Sequence, residues 1–158
     1  MIQEFKNLSE SEIQALYKAP VLVSLLIAGA DNHIDKNEIN RSIHMIRDKA
    51  QNERNHVMDL YKTVSDNFEA KLDQAIDNYP DTAEERNPVI TKELEEINAI
   101  LSKINKAFSI VYYQTIRDLA MAVAKSSGGF MGINAVGKEE ATVVELPMIK
   151  NPAVMFGD

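Results

Sequence analysis

Three observations predict an all-α fold. Apolar residues recur every three or four positions through most of the chain, which is the period of a helix face rather than of a strand. Helix punctuation falls where those stripes begin and end: Ser9-Glu10-Ser11-Glu12 is a capping box, Asn78-Tyr79-Pro80-Asp81 a stop, and Gly128-Gly129 a C-terminal glycine signal. Strong strand alternation is absent from the sequence. With 158 residues the chain has the length of one domain and can bury a sizeable core without a disulfide or metal staple. The expectation is a single-domain helical bundle of about six to eight helices over residues 1–150, followed by a C-terminal tail, 151–158.

The capping box opens a first helix through about Lys18. Pro20 then either kinks it or starts a second helix at its first position, where the missing N–H costs nothing. The run Val21-Leu22-Val23-Ser24-Leu25-Leu26-Ile27 is apolar nearly all round and belongs at the centre of the fold. A helix starting near Asp35 or Lys36 carries Ile39, Ile43, Ile46 and Ala50 on its apolar face, and the polar stretch Gln51–Asn55 breaks it. Val57, Leu60, Tyr61, Val64, Phe68, Leu72, Ile76 and Tyr79 keep helical spacing through a third helix. A fourth region begins after Pro88. Its stripe, from Leu94 through Leu101 and Phe108 to Leu119 and Val123, is long for one helix and leaves room for a break near Lys103–Ala107. Lys138-Glu139-Glu140 opens a last short helix to about Met148. Leu26, Ile43, Phe68, Leu101 and Leu119 are expected in the core.

Composition narrows the function. The chain has no cysteine, hence no thiolate ligand and no cysteine nucleophile. A formal net charge of −7, with Lys and Arg scattered, argues against nucleic acid as a partner. The longest apolar stretch, Ala19–Ala30, contains Pro20, Ser24 and Gly29 and is shorter than the roughly 20 apolar residues a bilayer requires. A cytoplasmic protein without membrane insertion is the expectation. With three histidines and no assembled nucleophile–base pair, it is not expected to be an enzyme.

The concentrated chemistry lies in Ala28-Gly29-Ala30-Asp31-Asn32-His33-Ile34-Asp35-Lys36-Asn37-Glu38, where an apolar helix gives way to a polar turn and an acidic helix start. Asp31, Asp35 and Glu38 could supply oxygen ligands to Ca²⁺ or Mg²⁺, and His33 could join them around Zn²⁺. Equally, Asp35 and Glu38 could serve only as an N-cap and its box partner. The loop is not an EF-hand: counted from Asp31, the sixth position is Lys36 rather than Gly and the twelfth is Ser42 rather than Glu. Glu53-Arg54-Asn55-His56 has the spacing of one half of a di-iron site but lacks a second Glu-x-x-His. The glycines of Gly128-Gly129-Phe130-Met131-Gly132 serve backbone geometry, since neither nucleotide-binding fingerprint fits them.

The turn resembles the Ala-Asp-Gly-x-Ile-x-x-x-Glu pattern of the TerB-like (tellurite-resistance) helical domains, with Asn32 in place of the glycine. Residues Met121–Glu140 repeat the layout of Leu26–Glu38, an apolar helix, a small-residue turn and an acidic helix start, as in that family's two helical halves. Ser127 stands there in place of an acid and the loop is longer. The resemblance implies two pseudo-repeated halves whose turns meet. It also implies a divalent cation held by Asp31, Asp35 and Glu38, with Glu139 or Glu140 completing the site. The function it implies is a bacterial stress or tellurite-resistance role exercised through protein contacts. A non-metal interaction scaffold using the same carboxylates as caps is the alternative. The partner is expected to be another protein, and a homodimer is left open.

Overall fold

The computed structural model describes residues 2–30, 34–52, 56–126 and 143–155. It is all-helical, with no strand among the described residues. A short 3₁₀ turn, Gln3–Phe5, precedes α1 (Glu10–Ala28), α2 (Lys36–Asn52), α3 (Val57–Asn78), α4 (Ala83–Glu95), α5 (Ile97–Leu101) and α6 (Lys106–Lys125). A last turn of helix, Pro152–Met155, lies against α6. The helices pack as one bundle. α1 is its axis, touching α2, α3, α4, α5 and α6, and every residue from Ala19 to Ala28 is buried. It is also long and apolar enough to cross a bilayer by length and composition, but here that apolar surface is the core of the bundle.

Ser9 opens α1 as its sequence requires. Its hydroxyl accepts from the Glu12 N–H, and the Glu12 carboxylate accepts from the Ser9 N–H at 2.9 Å. Of the two readings of Pro20, the start of a second helix does not occur: α1 runs through it without ending. A proline inside a helix leaves the carbonyl four residues earlier without its N–H partner. That carbonyl belongs to Leu16, and the Tyr112 hydroxyl of α6 donates to it at 2.8 Å. Both residues are fully buried, so the repair takes place where water cannot make it. Tyr112 belongs to a chain of buried hydroxyls: Thr115 donates to the Tyr112 carbonyl at 2.6 Å, and its Oγ1 lies 2.7 Å from the Tyr61 hydroxyl of α3.

The fourth region divides differently from the sequence reading. α4 starts before Pro88, with Thr82 as N-cap accepting from the Glu85 N–H at 3.3 Å. Pro88 is tolerated because the carbonyl it leaves unbonded, that of Glu84, belongs to an exposed residue that water can serve. The break expected near Lys103–Ala107 is present: α5 ends at Leu101, and Asn105 caps α6 through the Phe108 N–H at 3.2 Å. A further break falls at Glu96.

Leu26, Phe68, Leu101 and Leu119 are buried, but Ile43 is only partly so. Ile46 and Ala50 of the expected α2 face are buried, Ile39 and Ile43 are partly buried against the core, and the remaining covered positions are Glu38, Ser42 and Lys49. Residues 138–142 of the expected last helix lie outside the described residues. Val143–Ile149 form turns whose Val144, Leu146 and Ile149 are buried, and Asn98 of α5 ties them down through the Met148 carbonyl at 3.0 Å and the Lys150 N–H at 2.8 Å.

The Pro20 repair predicts a non-additive pair of substitutions. Tyr112→Phe in the natural chain leaves the Leu16 carbonyl buried without a partner and should cost about 1–3 kcal/mol in urea denaturation. Pro20→Ala restores the helical N–H, so in that background Tyr112→Phe should cost measurably less. Equal costs in both backgrounds would mean that Tyr112 does not stand in for the missing donor.

At the N-terminus of α3, His56 Nδ1 lies 2.6 Å from Glu4 Oε1. The Glu4 carboxylate raises the His56 pKa above its ordinary 6.5. A raised folded-state pKa stabilises fully below the unfolded value and is lost as pH rises through the folded one. The stability gap between the natural chain and His56→Asn should therefore be wider at pH 6 than at pH 8. A gap independent of pH in that interval would sever the pair from the fold.

Candidate functional site: the acidic turn between α1 and α2

The turn begins where α1 ends. The Gly29 N–H bonds the Leu25 carbonyl at 2.9 Å and closes the helix. The Gly29 carbonyl is taken by Arg86 Nη2 of α4 at 2.6 Å. The same guanidinium donates from Nη1 to the carbonyls of Asp81 (3.0 Å) and Pro80 (3.3 Å) in the α3–α4 connection. Arg86 is only 2% exposed, and burial lowers its pKa while the nearby Asp81 charge opposes that. A cation at a helix C-terminus meets the negative end of the macrodipole, so Arg86 both joins α4 to α1 and fixes the chain entering the turn. Gly29 is needed there for space rather than for its dihedral angles. A Cβ at this position would stand 2.3 Å from Arg86 Nη2 and 2.9 Å from Cζ.

On the far side of the turn, Asp35 Oδ1 accepts from the N–H of Asn37 at 2.7 Å and of Glu38 at 3.3 Å. These are the bonds of an N-cap. Glu38 points inward and is 2% exposed, on the same stripe as Ser42 and Lys49. Lys49 Nζ is 3.8 Å from Asp118 Oδ2 of α6. Two turns toward the start of α2, Arg41 shares a surface cavity with Met121, Lys125 and Ser126. The first turns of α2 therefore lie beside the last turn of α6, and the two helices run in opposite directions. The ends of α1 and α6 share that pole: Lys103, just before α6, pairs with Glu12 at 2.6 Å, and Tyr112 reaches Leu16, so α1 and α6 run the same way.

Of the residues expected around a cation, Asp35 and Glu38 are thus adjacent at this pole. Asp31, His33, Glu139 and Glu140 lie outside the described residues, as do Glu53 and the Gly128–Gly137 loop. His44 is exposed and His56 is engaged with Glu4. Among the described residues no group of three or more His, Asp or Glu side chains is gathered to hold a metal ion. Two carboxylates are fewer than the six to eight oxygens that Ca²⁺ takes, so a cation bound at Asp35 and Glu38 would need ligands from the turn itself or from water.

Arg86 escaped the sequence reading. No local pattern marks it, because its three acceptors lie 5 to 57 residues away along the chain. The unexplained glycine ending α1 was the available signal.

No family model, curated protein or solved structure matches the chain.

The Gly29–Arg86 contact predicts that Gly29→Ala destabilises by about 1–3 kcal/mol through overpacking. Arg86→Ala should also destabilise, by stranding the buried Gly29 carbonyl, but Gly29→Ala should add little on top of it. Full additivity in thermal melts would show that the clash lies elsewhere.

Proposed function

We propose that the chain is a non-catalytic helical binding module that works through protein contacts, and that its α1–α2 turn takes a divalent cation with Asp35 and Glu38 among the ligands. The observation that carries this reading is the placing of Asp35 and Glu38, two carboxylates three residues apart, at the start of α2 beside the acidic turn. Hard divalent cations take carboxylate oxygens as ligands. The dipole at the start of α2 also favours acids there, by about 0.3–1 kcal/mol each near the surface. Both cap bonds of Asp35 fall on Oδ1. Asp31, in the intervening turn, is the carboxylate that capping explains least. It follows the end of α1, where the dipole disfavours an acid. A stress-response or tellurite-resistance role in the cytoplasm rests on the sequence resemblance of the turn alone.

One observation favours a second reading, a plain interaction scaffold. Both bonds of Asp35 are cap bonds, and a cap needs no ion.

Thermal melting after EDTA treatment, then with millimolar Ca²⁺, Mg²⁺ or Zn²⁺, separates the two. A cation at 100 times its Kd should add about 2.7 kcal/mol. Asp35→Asn keeps a good cap but removes the charge. Its metal-free stability should stay within about 0.5 kcal/mol of the natural chain, while its response to metal should fall away. If the natural chain melts at one temperature under all four conditions, the scaffold reading stands instead.

A further inference from the structure

A second site lies on the opposite stretch of α1. Between α1 and α3 runs a cleft of about 250 Å³. Its walls carry one spacing twice: Gln14, Tyr17, Lys18 and Val21 from α1, and Lys71, Gln74, Ala75 and Asn78 from α3, each at i, i+3, i+4 and i+7. Tyr79, at the end of α3, closes it. Positions that face a neighbouring helix at this spacing are ordinarily apolar. Here only Val21 and Ala75 are, and they form the floor.

The charge in the cleft runs against that of the chain. The sequence has 24 acids to 17 Lys and Arg, yet among the described residues two lysines and no carboxylate line this space. Lys18 Nζ lies 3.2 Å from Glu93 Oε2 of α4 and 5.3 Å above the Tyr79 ring, whose hydroxyl also donates to Glu93. Burial works against the charge of Lys18, but its contacts with Tyr79 and Glu93 outweigh that and hold its pKa above the ordinary value. Lys71 is exposed and makes no ion pair among the described residues. Since Glu93 offsets Lys18, the cleft presents about one net positive charge, which suits a monoanion better than a dianion.

We propose that this cleft binds a small organic carboxylate with a flat apolar body. Its carboxylate lies toward the Lys71 ammonium and the side-chain amides of Gln74 and Asn78. Its body rests on Val21 and Ala75 between the rings of Tyr17 and Tyr79. The volume is below the roughly 300–1,000 Å³ of sites for drug-sized ligands, which limits the ligand to about the size of one substituted ring.

The test titrates the full chain with benzoate and follows backbone amides by ¹H–¹⁵N correlation spectra, with benzyl alcohol and inorganic phosphate as the other two arms. Benzoate should give saturable shifts centred on residues 14–21 and 71–79. Benzyl alcohol lacks the charge and phosphate lacks the apolar body, so both should bind more weakly. Lys71→Met keeps the alkyl stem and removes the ammonium. It should weaken benzoate roughly ten- to a hundredfold, the worth of one charge-assisted hydrogen bond, with the melting temperature unchanged because Lys71 is exposed. The proposal is overturned by an absence of saturable shifts or by equal affinity in Lys71→Met. Benzyl alcohol or phosphate binding as tightly as benzoate would also overturn it.

Discussion

Pro20 puts a break in the hydrogen-bond ladder of α1, the helix that α2 to α6 all pack against, and the bundle is assembled around its repair. The Leu16 carbonyl is kept from water, because Leu16, Pro20 and Tyr112 are all buried. A buried acceptor left bare would cost a sizeable share of the small net stability of a domain. The Tyr112 hydroxyl meets that need from 96 residues away and so fixes the register of α6 against α1. Burial also pushes the Tyr112 phenol well above its ordinary pKa of 10, which keeps it a neutral donor across the physiological range. The hydroxyls of Thr115 and Tyr61 carry the same network on to α3. Three long helices are thereby located by hydrogen bonds of fixed length and direction, where apolar contact alone would allow them to slide.

The C-terminal end of α1 follows the same logic with a different donor. Helix ends leave carbonyls without partners, and Arg86 serves one of them while gathering two more from the α3–α4 connection. A planar guanidinium can bond several carbonyls at once, which an ammonium on a flexible stem does less well. The absence of a Cβ at Gly29 lets the guanidinium come that close. The acidic turn that follows is therefore hung from a fixed point. On its other side Asp35 anchors it again by capping α2.

These long-range repairs explain which parts of the architecture could be read from the chain and which could not. The capping box at Ser9, the cap at Asp35 and the stripe of α3 are local, and they stand where their residues indicate. Pro20 left a kink and a new helix start both open because its compensation comes from Tyr112, which no local pattern connects to it. The break between α5 and α6 was faint because Ile97, Leu101, Ile104 and Phe108 stay buried straight through it, so the periodicity never falters. On α2 the apolar pattern pointed to Ile43, whereas the interior took Glu38, Ser42 and Lys49. Acids and lysines read as surface unless their partners are known, and Asp118 lies 69 residues from Lys49. Of the candidate site, the cap was legible and the burial of Glu38 was not. The cleft was invisible for the same reason: Lys18 and Lys71 each look like a solvated helix face until α1 and α3 are laid together.

The acidic turn and the cationic cleft are joined mechanically through α4. That helix is clasped to α1 at two places, Arg86 on the Gly29 carbonyl and Glu93 on Lys18. The two α1 anchors are 11 residues apart, about 16 Å along the helix, and the two α4 anchors 7 residues apart, about 10 Å. Neither site can touch the other's ligand across such a distance. Helices of this length move as stiff bodies, however, so a displacement of α4 that loosens the Glu93–Lys18 pair also strains the Arg86 clamp. Gly29, whose carbonyl Arg86 holds, stands immediately before the acidic turn, so the entry to the turn depends on a contact made by the same helix whose Glu93 pairs with Lys18 of the cleft.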